Sequence, residues 1–403
     1  MKKQITLIGI LLILLYSMSL QAKEIPSKKS SNIPDSAAYL GQTPPGETPV
    51  IFAPGIVSLP DRDEPSMTIS PDGKLILFYI GFYPKPGDPF IMQMQYINGK
   101  WTSPEKIPFC NGRRTGEPFF ALDGNRLYMF SNKSTNQVSY VDLAYVEKQD
   151  STWSNPISLG NPPNQYTDQY HPCIVADGSI YFSNSSGEIC RTQFENGAFQ
   201  PCIVLPYPIN HANTSPTWGD PYVSPNEDYM IFKSSRKGGF GQNDIYISYK
   251  KDEGSWTNPK NLGDKINTPE DETSGDITPD GKYMTYGSKG DIYWVSSSFI
   301  EKLKHTNFVP YLNGKIPNQS YPISQPFNFT VSEKTFIDDD GNNTLSYSST
   351  LEDGNPLPTW LSFKPDTRTF SGTPVEKGIN KVKVIVTDKA GAVASAVLTI
   401  EVI

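Results

Sequence analysis

One pattern, a strand, a tight turn and a second strand, recurs five times in this chain. It reads "TISPDGKLILFYIG", "FALDGNRLYMFSN", "IVADGSIYFSN", "YVSPNEDYMIFKSS" and "GDITPDGKYMTYGS". The turn positions are Asp72, Asp123, Asp177, Asn226 and Asp280, spaced 51, 54, 49 and 54 residues apart. Asp-Gly pairs supply the left-handed backbone that a tight hairpin needs. A period near fifty residues, built only from strand signals, predicts an all-β chain whose repeats are the blades of a β-propeller. A third strand follows in "NDIYISYK" and "GDIYWVS". An aromatic-x-x-Pro signature marks the fourth at Trp101, Trp153 and Trp256, shortened to "FQP" at Phe199.

The fifth repeat lacks that signature and runs instead into "SFIEKLK", which reads as a short helix capped by a serine. The missing strand has a candidate at the other end of the chain. "FAP", Phe52–Pro54, ends 18 residues before Asp72, against 19, 21, 25 and 21 residues for the corresponding prolines elsewhere. Segment 48–60 is therefore expected to complete the last blade and close a five-bladed ring, which would remove an unpaired sheet edge.

The stretches "SPDGK", "KSSRKGGFGQNDIYIS" and "SWTNPKNLGDKIN" resemble the PD40, or WD40-like, propeller repeats of TolB-type bacterial envelope proteins. The resemblance covers about 50–300, and it implies a fold rather than an activity.

After residue 310 the texture changes to Pro, Asn and Ser, as in a linker entering a new domain. About seven short strand signals in the last 90 or so residues suit a small β-sandwich with Trp360 in its core. The stretch "LPTWLSFKPDTRTFSGTP", with "FIDDDGNNTLSYSS" and "KVKVIVTDKAG", resembles the dystroglycan-type cadherin-like, Ig-like domain. That resemblance implies a calcium site whose oxygen ligands map onto Asp338, Asp340, Asn342 and Asp388, a hard-oxygen set suited to that ion. The alternative is an acidic turn whose aspartates accept hydrogen bonds from backbone amides.

The first 22 residues carry two lysines, an apolar run from Ile5 to Leu15 and a small residue at Ala22, the pattern of a cleaved secretory signal. The run is shorter than the roughly 20 residues of a membrane span. The expected organisation is a signal peptide at 1–22, a linker at 23–47, the propeller at 48–309 and the sandwich at 310–403. Removing the signal moves the net charge from −7 to −9, which disfavours nucleic acid or an anionic membrane as partner. Exported, periplasmic or extracellular placement follows. Of four cysteines, Cys190 and Cys202 lie about a turn centred on Asn196, so a cross-strand bond and two buried thiols are both open.

Chemistry is sought where the innermost strands begin. Six residues before the turns lie Ser66, Glu117, His171, Asp220 and Ser274. Arg113 and Arg114 stand just ahead of Glu117, and Trp218 just ahead of Asp220. Arg113, Glu117, His171, Trp218 and Asp220 make a polar, aromatic-flanked mouth suited to a sugar or a carboxylated group. The competing reading is that such residues only bond backbone amides of the next blade. Neither a zinc-peptidase H-E-x-x-H nor a hydrolase G-x-S-x-G is present. The expected function is an exported propeller that binds carbohydrate or an envelope protein, with the sandwich as spacer or adhesion module. The alternative is a secreted glycoside hydrolase or polysaccharide lyase using Glu117, His171 and Asp220.

Overall fold

The structure, a computed structural model, describes residues 34–35, 37–81, 89–132, 140–150, 152–210 and 219–403, except the side chain of Ser274. The signal-peptide reading, Trp218 and His211 lie outside the described residues. Among the described residues no helix is long and apolar enough to cross a membrane.

The described chain is all-β, with antiparallel sheets of four strands or more that resemble propeller blades. The first repeat sheet holds Met67–Ile69, Leu75–Ile80 and Phe90–Ile97, with Lys100–Trp101 and Glu105–Lys106 outside them. The second holds Thr115–Phe120, Arg126–Asn132 and Val141–Gln149, with Thr152–Trp153 and Ile157–Ser158 outside. Gln169–Ile174, Ile180–Asn184, Ile189–Thr192 and Ile203–Val204 form the third. Tyr222–Val223, Tyr229–Ser234, Asp244–Tyr249 and Lys260–Asn261 form the fourth. In the fifth, Glu272–Ile277, Tyr283–Ser288 and Asp291–Ser296 are followed by Val50–Ile51 from the N-terminal side. Val50 lies opposite Trp294 and Ile51 opposite Tyr293, and the Phe52 N–H donates to Ile292 at 2.7 Å.

The second strands of the repeat sheets are buried on both faces. Phe78, Phe130, Phe182 and Phe232 are all essentially inaccessible. Each such ring contributes about 1.5–3 kcal/mol relative to exposure. Phe52 packs edge-on against Trp294, with centroids 5.3 Å apart, in the same cluster as Phe78 and Met67.

Four sequence expectations need adjusting. The aromatic-x-x-Pro signature precedes the outer strand: Trp101 and Trp153 sit in two-residue extensions, and the outer strands begin after the proline. Pairing of the N-terminal segment falls on Val50–Phe52 rather than Phe52–Pro54. Ser298 precedes the helix Phe299–Lys304, but its side chain makes no capping bond. Trp360 is half-buried at the edge of its core, not within it.

All four cysteines are free thiols. The register places Cys190 opposite Val204, so Cys202 is a diagonal neighbour. Diagonal Cα atoms are about 7–8 Å apart, beyond ordinary disulfide reach.

The C-terminal domain is Ig-like. A four-stranded sheet, Gln319–Tyr321, Val393–Val402, Gly378–Thr387 and Ser346–Leu351, has a parallel first pair. A three-stranded sheet holds Phe327–Thr330, Thr369–Gly372 and Leu361–Lys364. Phe336, Phe370, Val384 and Leu398 fill its core. It meets the repeat sheets through Lys251, whose Nζ lies 3.0 Å from the buried carboxylate of Asp339, and through Tyr207 against Tyr311.

Candidate functional site

Three inner strands carry an X-Pro pair at their N-terminal side: Glu117-Pro118 within Thr115–Phe120, His171-Pro172 within Gln169–Ile174 and Asp220-Pro221 just before Tyr222–Val223. Proline lacks the N–H that would continue a ladder. The register shifts at these places, between Gly116 and Phe119 and between Tyr170 and Cys173. In the fourth sheet the Lys233 N–H donates to the Gly219 carbonyl, one residue out of step with the Tyr222–Ile231 pair. Each bulge residue is left-handed, at φ +52° for Glu117, +51° for His171 and +40° for Asp220. Non-glycine residues held there store roughly 1–3 kcal/mol each, a strain that clusters at functional sites.

The bulges turn three side chains toward one another. Glu117, His171 and Asp220 each place one potential ligand atom within 4.8 Å of the other two. A Glu117 carboxylate oxygen accepts the His171 backbone N–H at 2.7 Å. Lys233 Nζ stands 2.8 Å from Asp220 Oδ2, both side chains being buried. Asp276 Oδ1 lies 3.7 Å from His171 Nε2. The Asp220 N–H donates to Ser183 Oγ at 3.0 Å, tying the fourth sheet to the third.

The fields are strong. Burial and then the Asp220 charge push the Glu117 carboxyl up to about 7, against the pull of His171 and Lys233. Burial works to lower the His171 imidazole, but Asp276, with Asp220 and Glu117, raises it to about 9. Lys233 is disfavoured by burial and held above its ordinary value by Asp220. Tyr79, Phe130 and Tyr170 line up edge to face nearby, at 5.8 and 5.5 Å. Glu117 and Arg114 both act on the Tyr79 and Tyr170 hydroxyls.

The other expected positions behave differently. Arg113 Nη1 is tied to the Asn132 carbonyl at 3.4 Å. In the first sheet Met67 to Ile69 pair in unbroken register with Ile76 to Phe78 and Ser66 extends that ladder through Tyr79; the one-residue shift comes earlier, at Glu64-Pro65, where the Gly81 N–H donates to the Asp63 carbonyl. Ser66 is therefore out of step with the bulge residues. The fifth sheet is bulged between Thr273 and Asp276. Arg236 is structural, donating to the Pro208 and Ile209 carbonyls and lying over Phe232 and Tyr246. Asp244 likewise accepts the Phe240 and Gly241 N–H groups. Two site residues escaped the sequence reading, Lys233 and Asp276. A lysine inside the apolar strand "YMIFKSS" was the available signal for the first.

In the sandwich, Asp338 Oδ1 accepts the Asp340 N–H at 2.9 Å and Asn342 Oδ1 accepts the Asp338 N–H at 2.8 Å. Asp340 Oδ2 accepts the Phe308 N–H at 2.6 Å, and Asp388 Oδ2 accepts from Asn307 Nδ2 at 2.8 Å. Burial, then Asp340 and Asp388, raise the Asp338 carboxyl. The Asp340 and Asp388 charges thus both act on the Asp338 carboxyl. Their carboxylates are at present engaged in the turn and in the linker to the propeller.

Residues 309–403 match the family described as "Putative Ig domain". Among curated proteins none matches the chain. Among solved structures, one described as "putative TolB" from Agrobacterium tumefaciens is similar at 16% identity and TM-score 0.39, covering 57% of this chain and 71% of that one. A thermostable family-43 glycoside hydrolase is similar at 13% identity and TM-score 0.39, covering 59% of this chain and 91% of that one. An α-galactosidase assignment from Bacteroides fragilis shares 22% identity at TM-score 0.19, over 24% of this chain and 18% of that one.

Proposed function

We propose that the chain is an exported, five-bladed propeller closed by its N-terminal strand, binding carbohydrate at its hub and carrying the Ig-like domain as a spacer. Closure is supported by Val50–Ile51 beside Asp291–Ser296 and by two bonds joining the first and fifth repeats. These are Thr273 Oγ to the Pro65 carbonyl at 3.0 Å and the Glu64 N–H to the Gly290 carbonyl at 3.0 Å. The observation that carries the reading is the matched left-handed bulges of Glu117, His171 and Asp220, aimed at one point. A purely structural hub has no need of three strained positions. Charged donors and acceptors beside the half-buried Tyr170, itself braced by Phe130 and Tyr79 behind it, suit a ring with hydroxyl groups. Calcium at Asp338, Asp340, Asn342 and Asp388 is part of the same proposal, as a stiffener of the spacer.

A second reading is favoured by the split between two carboxyls. Glu117 is held near 7 while Asp220 is ion-paired to Lys233, the asymmetry of a general acid beside an ionised partner. Their approach within 4.8 Å is close to the roughly 5–5.5 Å of retaining glycosidases. Calorimetric titration with neutral and acidic oligosaccharides, alongside reducing-end assays, separates the two. Glu117→Gln with Asp220→Asn is expected to weaken saccharide binding at least tenfold, while Asp123→Asn at a distant turn leaves it unchanged. Turnover by the wild type that disappears in the double variant would establish the enzyme instead; binding of no saccharide would remove both.

A further inference from the structure

We infer that the hub holds a divalent transition-metal cation, with Glu117, His171 and Asp220 as its protein ligands. The inference rests on the hub being a ligand site and adds a cation as what the saccharide would meet there. Two carboxylates and an imidazole, with ligand atoms all within 4.8 Å, form a donor set for one ion. The imidazole favours zinc over calcium, which prefers an all-oxygen shell, and the two carboxylates also suit manganese.

A second, independent observation points the same way. Asp276 is 6% exposed, and its Oδ1 has no hydrogen-bond partner. That oxygen faces His171 Nε2 at 3.7 Å, too far for a hydrogen bond. The oxygen thus meets the His171 ring as an ion-pair partner without a hydrogen bond of its own, an arrangement that leaves room for a tighter contact. Asp276 is thus placed to orient the imidazole of a metal-bound His171, the usual carboxylate support behind a ligating histidine. Among the described residues, Glu117, Asp220 and Asp276 bring three carboxylates to this point beside Lys233. Lys233 engages Asp220 through Oδ2, and a carboxylate has a second oxygen to offer a cation.

The test uses the full chain, stripped with chelator and titrated calorimetrically with zinc chloride, manganese chloride and calcium chloride separately. One zinc or manganese site is expected per chain. His171→Gln and Asp220→Asn should each weaken it at least tenfold, and Asp276→Asn by a smaller factor. Absorption spectroscopy at the zinc edge of the wild type needs no variant and should report one imidazole nitrogen with carboxylate oxygens at about 2.0–2.2 Å. A shell lacking imidazole, uptake unchanged in His171→Gln, or no uptake of either metal overturns the site. Saccharide binding by protein that takes up no metal would overturn the cation alone. Metal uptake without saccharide binding would support the cation and overturn only the carbohydrate reading.

Discussion

Gly116 is glycine because two aromatic rings occupy the place where a side chain would begin. A Cβ there would collide with the Tyr79 ring and come within 2.6 Å of Phe130 Cζ. Both rings are buried and packed edge to face, so neither can retreat cheaply. Gly116→Ala is expected to destabilise the protein by about 1–3 kcal/mol, read as a lower urea midpoint. Because Glu117 is the next residue, the same change should displace its carboxyl and weaken ligand binding in parallel. A stable variant with unchanged binding would mean that the aromatic wall does not brace the bulge. Strain at the bulges and close packing beside them belong together: a left-handed glutamate, histidine or aspartate persists only where its surroundings leave no alternative.

At the scale of elements, the helix Phe299–Lys304 ends the fifth repeat sheet and leads into the sandwich. Lys260, on the outer strand of the fourth sheet, donates to the Leu303 carbonyl at 2.6 Å and the Thr306 carbonyl at 2.7 Å. A cation at the C-terminal end of a helix is favourable, and this one also lies beneath the Phe308 ring. Burial lowers the ammonium to about 8, against the pull of Asp340 and Asp339. The sign of the pH effect follows. Between about 8 and the free value near 10.4, the unfolded chain binds more protons at this lysine than the folded one, so the residue's contribution rises with pH. The wild type should therefore gain in melting temperature relative to Lys260→Met as pH goes from 7.5 to 10. A constant difference across that range would show that the lysine stays charged.

For the whole molecule, the acidic turn of the sandwich is also its contact with the repeat sheets. Asp339 pairs with Lys251 and accepts the Asn258 N–H, while Asp340 and Asp388 hold Phe308 and Asn307 of the connecting segment. A calcium ion taken up by Asp338, Asp340 and Asp388 would compete for those oxygens, so it should change both the sandwich and its attachment. Calcium at a hundredfold excess over its dissociation constant would add about 2.7 kcal/mol to the domain that binds it. Scanning calorimetry is expected to show the sandwich transition rising with calcium and falling with chelator, with the rise lost in Asp388→Asn. A transition indifferent to calcium removes the proposal.

The repeat period, the inner-strand turns and the Ig-like tail were legible in the sequence because each is written locally. Asp-Gly turns and alternating apolar strands repeat at fixed intervals, and a motif such as "LPTWLSFKPDTRTFSGTP" is contiguous. Counting back from the turns also located Glu117, His171 and Asp220. Tertiary structure alone decided which of the counted positions meet. A bulge shifts side chains by one residue without altering the count, so Ser66 falls out of step while Glu117, His171 and Asp220 converge. Lys233 and Asp276 join this cluster from positions that carry no common residue type in the other repeats. Their roles arise from charges brought close in a buried space, a property of distance and burial rather than of spacing along the chain.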